Sequence, residues 1–388
     1  MPVTLTEEQQ DFANAIGEFA RREVPDKARR DELTAEGPHS MEVYRKMADQ
    51  GWLGIALPEA YGGSGGSMTD LLVFLEETSY HQIPIGGFGT TIITAAALER
   101  SGSEEQKQQL LGDVINGELL AISMSEPGAG SDVGGLTCKA EKTENGWVVN
   151  GQKTWCSNAH ISKHVLLVAR TSPWASGATG EGGVGGKHDG LTMFMVPTDA
   201  DGLEMHGIET MGGKEVNDLY FTDCHLPADA VVGTEGQGWR QLMAGLNLER
   251  MILAGLMLGL ARRAFDDTVA YVKERHQFGR PVGSFQAMRH RIADNATELA
   301  ATKLLVHDTA RTIDANPGAL FPREASMAKL KATELAKHLS LEGMQMLGGY
   351  GYATEYGMER LLRQSVVSTV YGGTSEIQRD IIGKSYGL

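Results

Sequence analysis

Between Gly238 and Leu347 apolar residues recur at intervals of three and four for longer than any arrangement but packed helices allows. Leu242, Leu246, Glu249, Leu253, Leu256 and Leu260 follow one another at spacings of 4, 3, 4, 3 and 4. After a turn, Phe285, Met288, Ile292, Asn295, Leu299, Thr302, Val306, Thr309 and Ile313 keep the same rhythm. Such a stripe turns one face of a 3.6-residue helix toward a core. Two long stripes joined by Arg275-His276-Gln277-Phe278-Gly279-Arg280-Pro281, then a third helix over about 322–347, predict an antiparallel bundle. Glu249 is the charged member of the first stripe, where a carboxylate faces apolar neighbours and is desolvated.

The remainder is helical first and strand-rich second. Thr6-x-x-Gln9 reads as a capping box ahead of an amphipathic run to about Arg22, and Ser103-x-x-Gln106 as a second cap. Helical patterns occupy about 40–50, 68–80 and 88–100, and Gly62–Gly66 is a glycine-rich break. From about 119 the texture changes. Asn145-Gly146 lies between two strand-like runs, a hairpin signal, and Val165–Ala169, Leu191–Val196 and Leu219–Asp223 read as further strands. Ser172–Gly190, rich in Gly and Ser, reads as a mobile loop. The lack of regular β-helix-β alternation argues against a doubly wound nucleotide fold. The expectation is an α+β chain, mainly α, with a helical domain over 1–118, a β-domain over 119–232 and a helical domain over 233–388.

Composition narrows the function. A net charge of −15 over 388 residues argues against a binder of nucleic-acid backbones. No run approaches the ~18 apolar residues of a membrane span. The polar, acidic start has neither a basic nor an apolar targeting segment, and Cys138, Cys156 and Cys224 are too dispersed for a disulfide framework or a metal cluster. The reading is a cytoplasmic protein without a metal.

Several familiar patterns fail. Gly62-Gly63-Ser64-Gly65-Gly66 matches a hydrolase elbow in letters, but Leu57-Pro58-Glu59 stands where the preceding strand belongs. His160 and His164 lack the glutamate of a zinc-protease helix, and Gly128-x-Gly130 meets Val133 where a dinucleotide fingerprint has its third glycine. Four segments remain. Ser123-Met124-Ser125-Glu126-Pro127-Gly128-Ala129-Gly130-Ser131-Asp132 is either a plain loop or a place where backbone approaches a flat or phosphorylated ligand. In Gly151-Gln152-Lys153-Thr154-Trp155-Cys156-Ser157-Asn158-Ala159 the tryptophan either packs in a core or supports a ring system. Gln345-Met346-Leu347-Gly348-Gly349-Tyr350-Gly351-Tyr352 and Tyr371-Gly372-Gly373-Thr374-Ser375-Glu376-Ile377-Gln378 are glycine-rich stops.

Taken in order, with the Leu57–Gly63 turn and the Arg275–Pro281 turn, these segments resemble the acyl-CoA dehydrogenase family over nearly the whole chain. The resemblance implies an N-terminal helical domain, a middle β-barrel-like domain and a C-terminal four-helix bundle. It implies FAD as cofactor, its isoalloxazine against Met124, Ser125, Gly130, Ser131, Trp155 and Ser157. The pyrophosphate and adenine end is implied to meet Arg275, Phe278, Gln286, Gln345, Gly348 and Gly349 of a neighbouring subunit, with Thr374 and Glu376 near the diphosphate. Ser131, Asn247, Arg250 and Gly373 match positions that hold CoA and its pantetheine arm. The backbone N–H of Gly372 matches a donor to the thioester oxygen. The partners implied are an acyl-CoA substrate, an electron-transfer flavoprotein as electron acceptor, and other copies of the chain in a dimer of dimers.

Two departures matter. Many members carry the catalytic glutamate where Gly372 stands, and a minority, the isovaleryl-CoA and long-chain types, place it where Glu249 stands. The implied reaction is α,β-dehydrogenation to the trans-2-enoyl-CoA, Glu249 taking the α-proton while the β-hydride passes to flavin N5. Another flavoenzyme on the same scaffold (an oxidase or a desulfinase) and a non-catalytic FAD-binding subunit are the alternatives. Arg250 offers a structural ion pair for Glu249 instead. The missing side chain at 372 leaves volume for a branched or long acyl group. Arg363 is followed by Gln364 where the family has aspartate, which implies a lost salt bridge.

Overall fold

The computed structural model describes residues 3–173, 186–243 and 245–388, except the side chain of Leu246. Most of the Gly/Ser-rich stretch expected as a mobile loop, 174–185, lies outside the described residues. The helices and strands run α1 (Glu7–Glu23), α2 (Lys27–Leu33), α3 (Met41–Ala48), α4 (Met68–Tyr80), α5 (Phe88–Ser101), α6 (Glu104–Ile115), β1 (Leu120–Ser123), β2 (Lys139–Thr143), β3 (Gly146–Ser157), β4 (His164–Arg170), β5 (Leu191–Pro197), β6 (Leu203–Thr210), β7 (Gly213–Pro227) and β8 (Val231–Val232). Helices then return as α7 (Gly238–Met243) and α8 (Leu246–Glu274). A short hairpin, β9 (His276–Gln277) and β10 (Arg280–Pro281), leads to α9 (Gln286–Ala315), α10 (Pro322–Leu347), α11 (Gly349–Tyr352), α12 (Met358–Ser368) and α13 (Ser375–Lys384).

Two compact units form. One, Met1–Leu33 with Gly66–Ile83 and Asn247–Leu388, is helical. Its core joins Leu72 of α4, Met251, Ala254, Leu258, Ala261 and Ala264 of α8, Val306 and Ala310 of α9, and Ala325, Ala328, Ala332 and Ala336 of α10. Alanine at those four places lets α10 approach its neighbours closely. Pro322 starts that helix where a missing N–H costs nothing. Glu76 of α4 is buried in the bundle and accepts from Arg262 (2.5 Å), Lys303 (2.7 Å) and His307 (2.8 Å), which pins α4 to α8 and α9. Burial pulls its carboxyl upward, but the His307 hydrogen bond and the Arg262 and Lys303 charges outweigh it, so Glu76 stays ionised far below the usual range. The helical stripe does not run unbroken from Leu242. The helix stops at Met243, Leu242 packs in the other unit's core, and α8 starts afresh at Leu246.

The second unit, Thr34–Gly65 with Pro84–Leu246, carries the sheet. Strand order is β6-β7-β3-β2-β4-β5-β8, with β1 added parallel to β4. The expected hairpin closes between Thr143 and Gly146 over Glu144-Asn145. β4 and β5, which read as continuous apolar runs, are buried almost throughout because helices and strands cover both faces. The run expected over Leu219–Asp223 is the middle of a 15-residue strand, β7. Both expected capping boxes form, at Thr6/Gln9 and Ser103/Gln106, and a third, Ser67/Asp70, starts α4.

Candidate active site

The sheet unit builds a platform around Trp155. Between Lys153 and Cys156, β3 has one more residue than its partner β7, since Lys153 pairs with Leu219 and Cys156 with Asn217. The extra residue makes a β-bulge. Trp155 sits in it at φ +60° and is 60% exposed. A bulky residue in the left-handed region is strained and marks a site. The same bulge lets Thr154 N–H donate to Ser125 O at 2.9 Å, which draws the Met124–Asp132 loop alongside. Beneath, the wholly buried Lys153 ammonium donates to Met124 O (2.9 Å) and Glu126 Oε1 (2.8 Å). Glu126 also accepts from Thr137 N (2.7 Å) and Cys138 N (2.9 Å). Burial raises the Glu126 carboxyl, but Lys153 and Thr137 outweigh it and hold it ionised. Met124, Ser125 and Ser157 are partly buried, and Gly130 and Ser131 are exposed. Around Gly128 and Gly130 a Cβ would meet nothing within 4 Å, so backbone is open to a ligand there. Lys153 and Glu126 are absent from the sequence-derived site. Their signal was a lysine and a glutamate inside motifs otherwise made of small residues.

The helical unit holds Glu249, the candidate base. Because α8 begins at Leu246, Glu249 lies in its first turn, where backbone N–H groups favour a carboxylate. Burial pushes its pKa up, and the charges of Arg250 and Lys329 oppose this. The alternative ion pair does not form. Among the described residues no cation lies within 4.0 Å of Glu249, and the buried Arg250 donates to Asn247 Oδ1 at 3.3 Å instead. Asn247, Glu249 and Arg250 thus share the start of one helix. The Tyr371–Thr374 loop faces them, with Gly372 and Gly373 at φ +61° and +77°. A Cβ on Gly372 would lie 3.4 Å from Glu249 Oε1 and 2.3 Å from Leu253 Cδ1. The volume expected to be free at Gly372 is therefore filled by Leu253, one turn beyond Glu249 on α8.

Thr374 Oγ1 caps α13 by accepting from Ile377 N (3.3 Å), and Glu376 is exposed in that helix's first turn. Lys329 of α10, fully buried, donates to Tyr371 O (3.2 Å) and Gly373 O (2.8 Å). Burial lowers its pKa to about 8 although Glu249 and Glu334 pull the other way. Sequence reading missed Lys329 as well. It sits on the apolar stripe of α10 between Ala325 and Ala332, where a lysine needs a reason.

A third group gathers at the opposite end of α8. Phe278, 93% exposed at φ +53°, tips the β9–β10 hairpin. The Arg275 guanidinium lies 5.4 Å from the Tyr350 ring centroid, which joins this turn to the end of α10. Gln286, Gln345, Gly348 and Gly349 are exposed at the same corner, and Gly348 (φ +64°) and Gly349 leave open space where a Cβ would be. From Glu249 to Glu274 is 25 residues of one helix, about 38 Å at 1.5 Å per residue. The two groups therefore stand at opposite ends of α8. The altered Arg363–Gln364 pair has a local substitute, since Arg363 Nε binds Glu359 Oε2 at 2.7 Å.

Against known proteins, the chain matches the N-terminal domain of acyl-CoA dehydrogenase over residues 6–118, the middle domain over 121–224 and the C-terminal domain over 236–387. It is 35% identical to the mitochondrial isovaleryl-CoA dehydrogenase of Solanum tuberosum, over 97% of this chain and 90% of that one. The structure aligns with an acyl-CoA dehydrogenase from Geobacillus kaustophilus over 100% of both chains, at a TM-score of 0.91 and 31% identity. It also aligns with an FAD complex of PigA over 100% of both chains, at 0.88 and 25%. The chain belongs to the acyl-CoA dehydrogenase family. It is an oxidoreductase that uses FAD, and the platform fits that cofactor: an exposed indole held out by a bulge beside backbone that nothing crowds. No described helix is long and apolar enough to cross a membrane.

Proposed function

We propose that this enzyme desaturates an acyl-CoA thioester between Cα and Cβ, with Glu249 as the base. The observation that carries this is the 3.4 Å between Glu249 Oε1 and the point where a side chain at 372 would begin. A carboxylate delivered from α8 thereby reaches the place from which the loop position, here glycine, would otherwise supply one. Burial gives Glu249 the basicity to take a weakly acidic α-proton, and the first-turn position with Arg250 and Lys329 nearby keeps it ionised and ready. The Gly372 N–H donates to the thioester oxygen, where charge develops as the α-proton leaves. Bound FAD supplies the acceptor for the β-hydride. Met124, Ser125, Gly130, Ser131, Trp155 and Ser157 hold the isoalloxazine. Ser131, Asn247, Arg250 and Gly373 hold the CoA arm.

The substrate is branched or long-chain rather than short and straight. With Leu253 filling the space at Gly372, this now rests on the base position and on the 35% identity to an isovaleryl-CoA dehydrogenase. Electrons leave to an electron-transfer flavoprotein, a reading supported by family resemblance alone. The chain forms a dimer of dimers. The ~38 Å along α8 supports this, because Arg275, Phe278, Gln286, Gln345, Gly348 and Gly349 can then serve a neighbour's cofactor. The test is anaerobic bleaching of the FAD-loaded protein with a panel of short, long and branched acyl-CoA thioesters. Glu249→Gln should keep FAD and bind acyl-CoA yet bleach about 10²–10⁴-fold more slowly. Near-wild-type bleaching by that variant would remove Glu249 from the role.

A further inference from the structure

The loop that faces Glu249 is organised from behind by two buried side chains. Lys329 Nζ donates to Tyr371 O (3.2 Å) and Gly373 O (2.8 Å), and Gln378 Nε2 donates to Gly372 O (3.2 Å) and Gly373 O (3.0 Å). Both residues are 0% exposed. Three consecutive carbonyls, 371 to 373, are thus turned inward onto fixed donors. In a trans peptide the C=O and the following N–H point in opposite directions. The N–H groups of Gly372, Gly373 and Thr374 are therefore turned the other way, and among the described residues none of the three has an acceptor. Successive glycines at φ +61° and +77° let the carbonyls of 371 to 373 converge in this way, and side chains at both positions would oppose it.

We propose that Lys329 and Gln378 are the positioning pair of this active site: they aim the 372–374 N–H groups at the thioester carbonyl. The proposal rests on the reading of Glu249 as base. Lys329 also bears on Glu249: its charge, after that of Arg250, favours the ionised carboxyl, and among the described residues no carboxylate lies within 4.0 Å of Lys329 to cancel it. The charged groups that bear on it are Glu249 and Arg250 of α8, Glu334 of α10 and Glu376 of α13. Glu249 is the carboxylate with the largest effect. Gln378 bears on the loop alone, since it carries no charge. The two residues are therefore separable by experiment.

The experiment uses the full-length, FAD-loaded enzyme and the thioester that bleaches it fastest. Lys329→Met, which keeps the apolar stem, should lower kcat about 10–100-fold with KM little changed, by analogy with loss of an oxyanion donor. It should also move the acid limb of kcat/KM to higher pH, because a cation that favoured the carboxylate is gone. Gln378→Met should lower kcat without moving that limb. A Lys329→Met enzyme with wild-type kcat overturns the proposal. If Lys329→Met does not fold, Gln378→Met decides, and wild-type kcat there overturns it equally. A wild-type protein that no thioester bleaches sinks the underlying reading instead, which keeps the two failures apart.

Discussion

Glu249 and Gly372 are two residues read together because a single point in space connects them. If both positions address the same α-hydrogen, a carboxylate moved from one to the other retains function. The structure adds a condition. The Cβ of any residue at 372 would fall 2.3 Å from Leu253 Cδ1, and it would sit at φ +61°. Overpacking costs about 1–3 kcal/mol and a non-glycine residue in the left-handed region about 1–2 more. Glu249→Gly with Gly372→Glu should therefore recover little turnover alone. Adding Leu253→Ala should raise it about tenfold, since 1.4 kcal/mol of relieved strain is a factor of ten. Initial rates of the double and triple variants with one thioester check this. Equal rates would mean that Leu253 does not occupy the path of the new side chain. Trp155 makes a related point from strain. An indole mostly exposed, in a conformation that favours glycine, stabilises the fold little, so its presence points to a ligand.

At the scale of elements, the start of α5 depends on a histidine's charge state. His39 Nδ1 accepts from Gly87 N at 3.1 Å, and Gly87 is the cap residue of α5. Burial lowers the His39 pKa to about 4. Protonation removes the acceptor and sets a cation against a helix N-terminus, both unfavourable. A depressed pKa of this kind contributes stability that is complete above the unfolded value of about 6.5 and is lost as pH falls toward 4. Between pH 7 and 4.5 the loss should be about 2 kcal/mol. Urea unfolding at the two pH values measures it, and His39→Gln should shrink the difference by about that amount. An unchanged pH dependence in the variant would assign the acid sensitivity to other groups.

At the scale of the molecule, the proposed dimer of dimers divides the candidate site residues along α8 between chains. Glu249 stands at one end and the Arg275 turn about 38 Å away at the other. If the second group serves a neighbour's FAD, defects at the two ends complement in mixed oligomers. Glu249→Gln and Arg275→Ala homo-oligomers should each be impaired. Co-expressed with distinct tags and purified through both, the mixed oligomers should regain about a quarter to a half of wild-type activity per FAD, as expected for closed symmetric assemblies with shared sites. Mixed oligomers no better than the average of the two parents would place both groups on separate functions within one chain.

The sequence by itself determined which stretches are helices and strands and where many of them start. The 322–347 and 68–80 helices, the Thr6/Gln9 and Ser103/Gln106 boxes and the Thr143–Gly146 hairpin all appear as expected. Periodicity and caps are local, so they survive without knowledge of the partner. The ordered motifs likewise supplied the candidate site residues. Only the tertiary structure showed that α1 and α4 join the C-terminal helices in one unit, and that the Leu242 stripe breaks before Glu249. A stripe reports which face is apolar, not what covers it. The same holds for Lys153 against Glu126, and for Lys329 under the 371–373 carbonyls. Each joins residues 27 to 44 apart, and a buried charge becomes tolerable only through partners that the fold brings to it.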